Sequence, residues 1–336
     1  MQSAETVLDV LRERGRRGLP CDELYRQLFN PQLYLLAYGR IYSNEGAMTP
    51  GPDAETADGM SMGKIERIIH ALRGERYRFK PVKRHYIPKK DGKQRALGLP
   101  SWSDKLLGEV IRLLLEAYYE PRFSEHSHGF RPGRGCHTAL REVAKTWTGT
   151  TWFIEGDISR CFDELDHEVM LATLAEKIHD NRLLRLVGQM LRAGYLEDWT
   201  WNVTLSGAPQ GGVLSPCLSN IYLDRLDSFV ETVLVPEYTR GARRRRFSHT
   251  TECRSRSPVH ASAVITPRCE RCASSNVPSP LAIHWIPATG GCVMSGMPMT
   301  FCSGLSDRRS KLRRSSVASL SSWAMSSSWS CLSKRR

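Results

Sequence analysis

Asp157 closes the apolar run Trp152-Phe153-Ile154 inside the segment FIEGDISRCF, residues 153–162, and further on the chain reads APQGGVLSP, residues 208–216. A carboxylate at the end of a buried strand is costly unless an ion or a donor compensates it. The chemistry that calls for such a residue is nucleotidyl transfer, in which two magnesium ions activate a 3′ hydroxyl and neutralise a triphosphate. Magnesium takes oxygen ligands and keeps part of its coordination for water and phosphate, so a protein supplies only a few carboxylates. On its own, Asp157 fits equally well a cap of the helix that starts near Leu165, or of a nearby turn, because Asp is common there.

The second run narrows the choice. The prolines and glycines of Gly207–Pro216 hold an extended loop, and backbone can approach a ligand closely where no Cβ intervenes. A helix follows, with Leu218, Ile221, Tyr222, Leu226 and Phe229 at helical spacing. Behind a strand-borne Asp, such a loop fits a platform for template and nucleotide.

Stepping outward, hydrophobic spacing predicts helices over Val7–Arg14, Asp22–Leu28, Lys64–Leu72, Asp104–Tyr119, His137–Thr146, Asp166–Ile178 and Asn181–Ala193. Strands are expected at Trp152–Glu155 and in two hairpins, Phe79–Leu99 turning at Asp91-Gly92 and Tyr195–Leu205 leading into APQGG. Asp163 and Asp166 read as turn and helix-start residues, and His167 as a surface or cap histidine. His126, His128 and His137 surround Gly129–Arg134 without metal-ligand spacing and are assigned no chemistry.

Together these runs resemble the reverse transcriptases encoded by bacterial group II introns, the reverse transcriptase/maturase family. The resemblance extends from about Thr6 to Arg246. It includes Asn30–Ser61, similar to that family's N-terminal extension; Tyr86–Pro100 (YIPKKDGKQRALGLP), similar to its fingers hairpin; and Gly129–Arg134 (GFRPGRG with the following glycine), similar to the next fingers segment. The resemblance implies an α+β fold, a right-hand polymerase's fingers plus partial palm with a disordered C-terminal tail. Residues 1–75 would be the extension, 76–246 the fingers and partial palm, and 247–336 the tail.

It also implies roles. Asp157 would be the first metal ligand for Mg2+, with the Ile158 carbonyl beside it, and Phe162 would sit under the sugar and exclude a 2′ hydroxyl. Lys89 and Arg95 would grip the triphosphate, one as a point charge and one as a planar fork. Without the resemblance, they read as a solvated basic hairpin. Gln210 and Gly211 would lie beside the incoming nucleotide. Arg131, Arg134 and the run Arg243, Arg244, Arg245 and Arg246 would contact RNA phosphates. The implied partners are group II intron RNA, an RNA template with a DNA primer, and deoxynucleoside triphosphates.

The family pattern then breaks. These enzymes carry a strand–turn–strand hairpin reading Tyr-Ala-Asp-Asp after the APQGG loop, and no such tetrapeptide occurs here. Residues 247–336 hold 12 Lys and Arg against only Glu252, Glu270 and Asp307, with 21 serines and six of the ten cysteines. That segment lacks the patterned apolar face that offsets the entropy of ordering.

The genetic code tests whether the segment is in its own frame. Gly296–Phe301 back-translates to GGN ATG CCN ATG ACN TTY, and reading two bases further on yields NAT GCC NAT GAC NTT. Ala and the second Asp are forced, and allowed third bases complete Tyr-Ala-Asp-Asp-Phe. A weaker echo follows at Ser333–Arg336, which can give Gln-Glu-Lys in the same shift. The expectation is a frameshift near Arg243–Phe247.

Cys269-Glu270-Arg271-Cys272, with Cys253, Cys292, His260 and His284 around it, contains the one Cys-x-x-Cys and otherwise irregular spacings, so no zinc is expected. Cys21, Cys136, Cys161 and Cys217 are too scattered for a disulfide framework. The net charge of +13 suits phosphate partners, though the tail supplies +9 of it. No apolar run reaches membrane-spanning length and no signal peptide is visible in Met1–Gln27, so a cytoplasmic location without membrane contact is expected.

Overall fold

The computed structural model describes residues 2–44, 46–88, 92, 94–147, 152–155, 158, 161–198, 200–204, 206–207, 211–239, 283–286, 300–303 and 332–335. The chain begins with four helices, α1 (Ala4–Arg16), α2 (Leu24–Gln27), α3 (Pro31–Tyr42) and α4 (Met62–Arg73). Each long one starts at a residue whose side chain accepts from a first-turn N–H: Ser3 from Thr6, Asn30 from Gln32 with Pro31 following, and Ser61 from Lys64. Helix α3 lies within the expected N-terminal extension, where the sequence reading assigned no helix.

Strands β1 (Val82–Pro88) and β2 (Gln94–Leu99) form the expected hairpin, with Lys83 opposite Leu99 and Ile87 opposite Arg95. The strand begins at Val82 rather than Phe79, since Pro81 has no N–H to give a ladder. Helix α5 (Trp102–Tyr119) follows, capped by Ser101. It is buried nearly all round, Asp104, Lys105 and Glu109 included, because it is the central post of the core, packed by α1, α3 and α4. Leu106, Ile111, Leu114 and Tyr118 are fully buried there, in one cluster that also takes in Leu33, Ile65, Leu174 and Leu218.

Next come α6 (Cys136–Thr146), β3 (Trp152–Glu155), α7 (His167–Ala175), α8 (Asn181–Leu191), β4 (Tyr195–Glu197) and β5 (Thr200–Asn202). Asp180 caps α8 by accepting from the Arg182 N–H at 3.1 Å, and its other oxygen accepts from the Tyr25 N–H at 2.9 Å. One carboxylate thus ties the N-terminal helices to this later pair. The β4–β5 hairpin docks alongside β1 in parallel, giving a four-stranded sheet in the order β2-β1-β4-β5.

Helix α9 (Ser215–Phe229) runs into a π-helical stretch at Val230–Leu234 and then α10 (Val235–Tyr238). Three short strands stand in the segment expected to be disordered: β6 (Ile283–Ile286), β7 (Thr300–Ser303) and β8 (Leu332–Arg335). Strand β6 pairs with β7, and β8 pairs antiparallel with β3. The strand that precedes Asp157 in sequence therefore has a partner from the tail. An unpaired strand edge offers a row of N–H and C=O groups to any extended segment.

Candidate active site

Asp157, Lys89, Gln210 and Arg243–Arg246 lie outside the described residues, as do the Cys269–Cys272 motif and the histidines and cysteines around it, apart from the strand positions His284 and Cys302. Ile158 packs, half-buried, against Cys161 and Leu223 of α9, which anchors the segment just after β3 to the helix behind it.

The next residues are held to the loop before APQGG. Gly207 donates its N–H to the Leu165 carbonyl at 2.7 Å, and the Ser206 hydroxyl donates to the Asp163 carbonyl at 2.9 Å. Gly207 has φ +89°, and a Cβ there would come within 2.6 Å of the Phe162 carbonyl oxygen. Only glycine allows so close a pass.

His167 completes this seam. It is buried at 5% exposure, and its Nε2 lies 2.7 Å from the Gly207 carbonyl oxygen, a geometry that makes Nε2 the donor. The expectation of a surface or cap histidine is corrected: the cap is Asp166, whose carboxylate accepts from the Val169 N–H, and His167 joins the two palm segments.

Phe162 is half-buried and meets the Phe130 ring edge-on with centroids 6.1 Å apart. Phe130 belongs to the GFRPGRG segment and has φ +53°, an unusual conformation for a non-glycine residue. Fingers and palm therefore meet at the residue expected to read the sugar. Gly211 has φ +98° and lies so near β2 that a Cβ would reach 3.0 Å from the Gly98 carbonyl oxygen. This contact seats the APQGG loop on the strand that carries Arg95, which is exposed opposite Ile87.

Arg131 and Arg134, expected to contact RNA, both donate to carbonyls of their own segment. Arg131 is buried, its guanidinium 2.9 Å from Glu120 Oε1 and donating to the Ser124 and Ser127 carbonyls at 2.6 and 2.8 Å. It is a clamp that folds the fingers segment back onto the end of α5. Arg134 is half-buried and donates to the Glu125 carbonyl. A cavity of about 400 Å³ opens beside this clamp, where Arg40, Arg112, Phe130, Arg131 and Asn220 meet.

Further along α9, burial pushes the Asp224 carboxyl up to about 6, and burial with the neighbouring Asp224 and Glu231 pushes Asp227 up to about 8. Asp227 Oδ1 has no hydrogen-bond partner among the described residues.

A family model described as "Reverse transcriptase (RNA-dependent DNA polymerase)" matches residues 87–239. Over 208 residues the chain is 50% identical to the group II intron-encoded protein LtrA of Lactococcus lactis subsp. cremoris, covering 62% of this chain and 35% of that protein. Residues 87–239 form a reverse transcriptase domain of the group II intron kind. The chain is also 46% identical over 230 residues to an uncharacterized 91 kDa protein in the cob intron of Schizosaccharomyces pombe, covering 67% of this chain and 28% of that one. With protein YkfC of Escherichia coli it shares 34% identity over 222 residues, covering 63% and 58% respectively. The chain spans about a third of the length of the first two relatives.

Of the two expected Mg2+ ligands, the Ile158 carbonyl and Asp157, the latter lies outside the described residues. No group of three or more His, Cys, Asp or Glu side chains among the described residues could hold a metal ion. A pair of ions needs more carboxylate than one residue supplies. Likewise, no helix among the described residues is long and apolar enough to cross a membrane.

Proposed function

We propose that this chain carries the fingers and the first part of the palm of an RNA-directed DNA polymerase with maturase function, encoded by a group II intron of a mobile element. Its partners would be the intron RNA, an RNA template paired with a DNA primer, and deoxynucleoside triphosphates, in the cytoplasm. Asp157 and Ile158 would hold Mg2+, Lys89 and Arg95 the triphosphate, Phe162 the sugar, and Gln210 and Gly211 the base pair's edge. The polypeptide as read does not polymerise, and at most binds RNA.

The observation that carries this reading is the pairing of two facts. Residues 87–239 match the reverse transcriptase family, and the codons allowed for Gly296–Phe301 admit Tyr-Ala-Asp-Asp in a shifted frame. A nucleotide read of the locus tests it. A single-base change near the codons of Arg243–Phe247 is expected to open one long frame that includes Tyr-Ala-Asp-Asp; no such change would show that the tail is the gene's own.

A further inference from the structure

We propose that the face of the fingers sheet bearing Trp201 is a stacking platform for the single-stranded part of a nucleic-acid template. The proposal deepens the polymerase reading, on which the word template rests. Strand register places Trp201, Leu196, Lys83 and Leu99 in one row across the four strands. Cross-strand partners share a face, and every second residue returns to it, so His85 and Arg95 belong to the same side. None of the described strand positions on that side is acidic. The neighbouring Glu197 belongs to the opposite face, where it bonds the Tyr86 hydroxyl and pairs with Arg84 at 3.7 Å.

Trp201 is fixed yet open. Its Nε1 donates to the Ala193 carbonyl at 3.4 Å, and its ring lies against Gly194, where a Cβ would come within 2.7 Å of Nε1. Despite this anchoring, the residue is 54% exposed, and Lys83, His85 and Arg95 are exposed as well. A pre-set aromatic ring beside cations is how proteins hold single strands without reading sequence. Lys83 sits two strands from Trp201, about 10 Å away. That spacing suits a base stacked on the indole with its neighbouring phosphate on the ammonium. The same features disfavour a protein partner, whose docking would need a larger apolar patch.

The test uses the full chain and a labelled single-stranded RNA of about a dozen uridines, without nucleotides, so polymerisation does not enter. Trp201→Ala is expected to weaken binding about tenfold, with Trp201→Phe recovering most of the loss. Lys83→Ala should lower the slope of log affinity against log salt by about 0.7. Replacing uridine by 5-bromouridine and irradiating the unaltered chain should cross-link the RNA to Trp201, a readout that a merely structural tryptophan would not produce. Binding by a folded Trp201→Ala chain equal to that of the parent, or cross-links that map away from β1 and β5, would overturn the proposal. Either result leaves the polymerase reading standing, because that reading is decided by the nucleotide sequence of the locus.

Discussion

Asp227 sits where burial and two like-charged neighbours act in the same direction, and its carboxyl is pushed up to about 8. The unfolded chain holds this proton only below about pH 4, whereas the folded chain holds it to about 8. The group's contribution to stability is therefore fully present below pH 4, falls as pH rises towards 8 and is level above. Asp227→Asn should remove most of that slope and stabilise the chain by about 1 to 3 kcal/mol at pH 8, read from urea melts at pH 5 and pH 8. An unchanged slope would mean that the titrating group lies elsewhere. Arg131 makes the opposite case. With its guanidinium buried against Glu120 and two carbonyls, Arg131→Ala should cost about 2 to 4 kcal/mol. The same variant should leave the salt dependence of RNA binding untouched, whereas losing a phosphate contact would lower the slope by about 0.7. Sequence reading saw an arginine in a fingers motif and gave it to RNA, because nothing local announces Glu120 eleven residues earlier. His167 was misread for the same reason: its partner is a backbone carbonyl forty residues away. Asp157, expected as a ligand at the end of an apolar run, lies outside the described residues.

At the scale of elements, local chemistry predicted most of what forms. The heptad-like apolar spacing of Asp104–Tyr119 gave helix α5 to within two residues, and Asp166 and Asp180 start α7 and α8 as caps. What spacing could not show is which elements meet. The parallel docking of β4 on β1 joins residues more than a hundred positions apart, and only that docking brings Trp201 and Lys83 onto one face. The Gly207 crossing is similar: its glycine reads as a loop residue, yet its task is to pass the Phe162 and Asp163 carbonyls. Gly207→Ala combines a left-handed backbone with a clash against backbone atoms, and should cost about 2 kcal/mol or more, measured by thermal melting. A neutral substitution would show that the two palm segments are not held together there.

For the whole molecule, one cluster of buried side chains runs from Ala4 to Ile221 and binds the N-terminal helices, α5 and the palm helices into a single core. The strand approaching Asp157 is paired with β8 from the basic, serine-rich segment, which brings Arg335, Lys334, Ser333 and Leu332 opposite it. None of these is a carboxylate, and the three acids of residues 247–336 are Glu252, Glu270 and Asp307. We propose that Asp157 therefore lacks the companion ligands that a pair of magnesium ions requires. Primer extension by the purified chain on poly(rA) primed with oligo(dT), with Mg2+ and deoxythymidine triphosphate, examines this most directly. Incorporation no greater than that of the Asp157→Ala chain is the expected result. Incorporation clearly above that background, lost on Asp157→Ala, would contradict the account by revealing a second metal carboxylate within the chain as it is read.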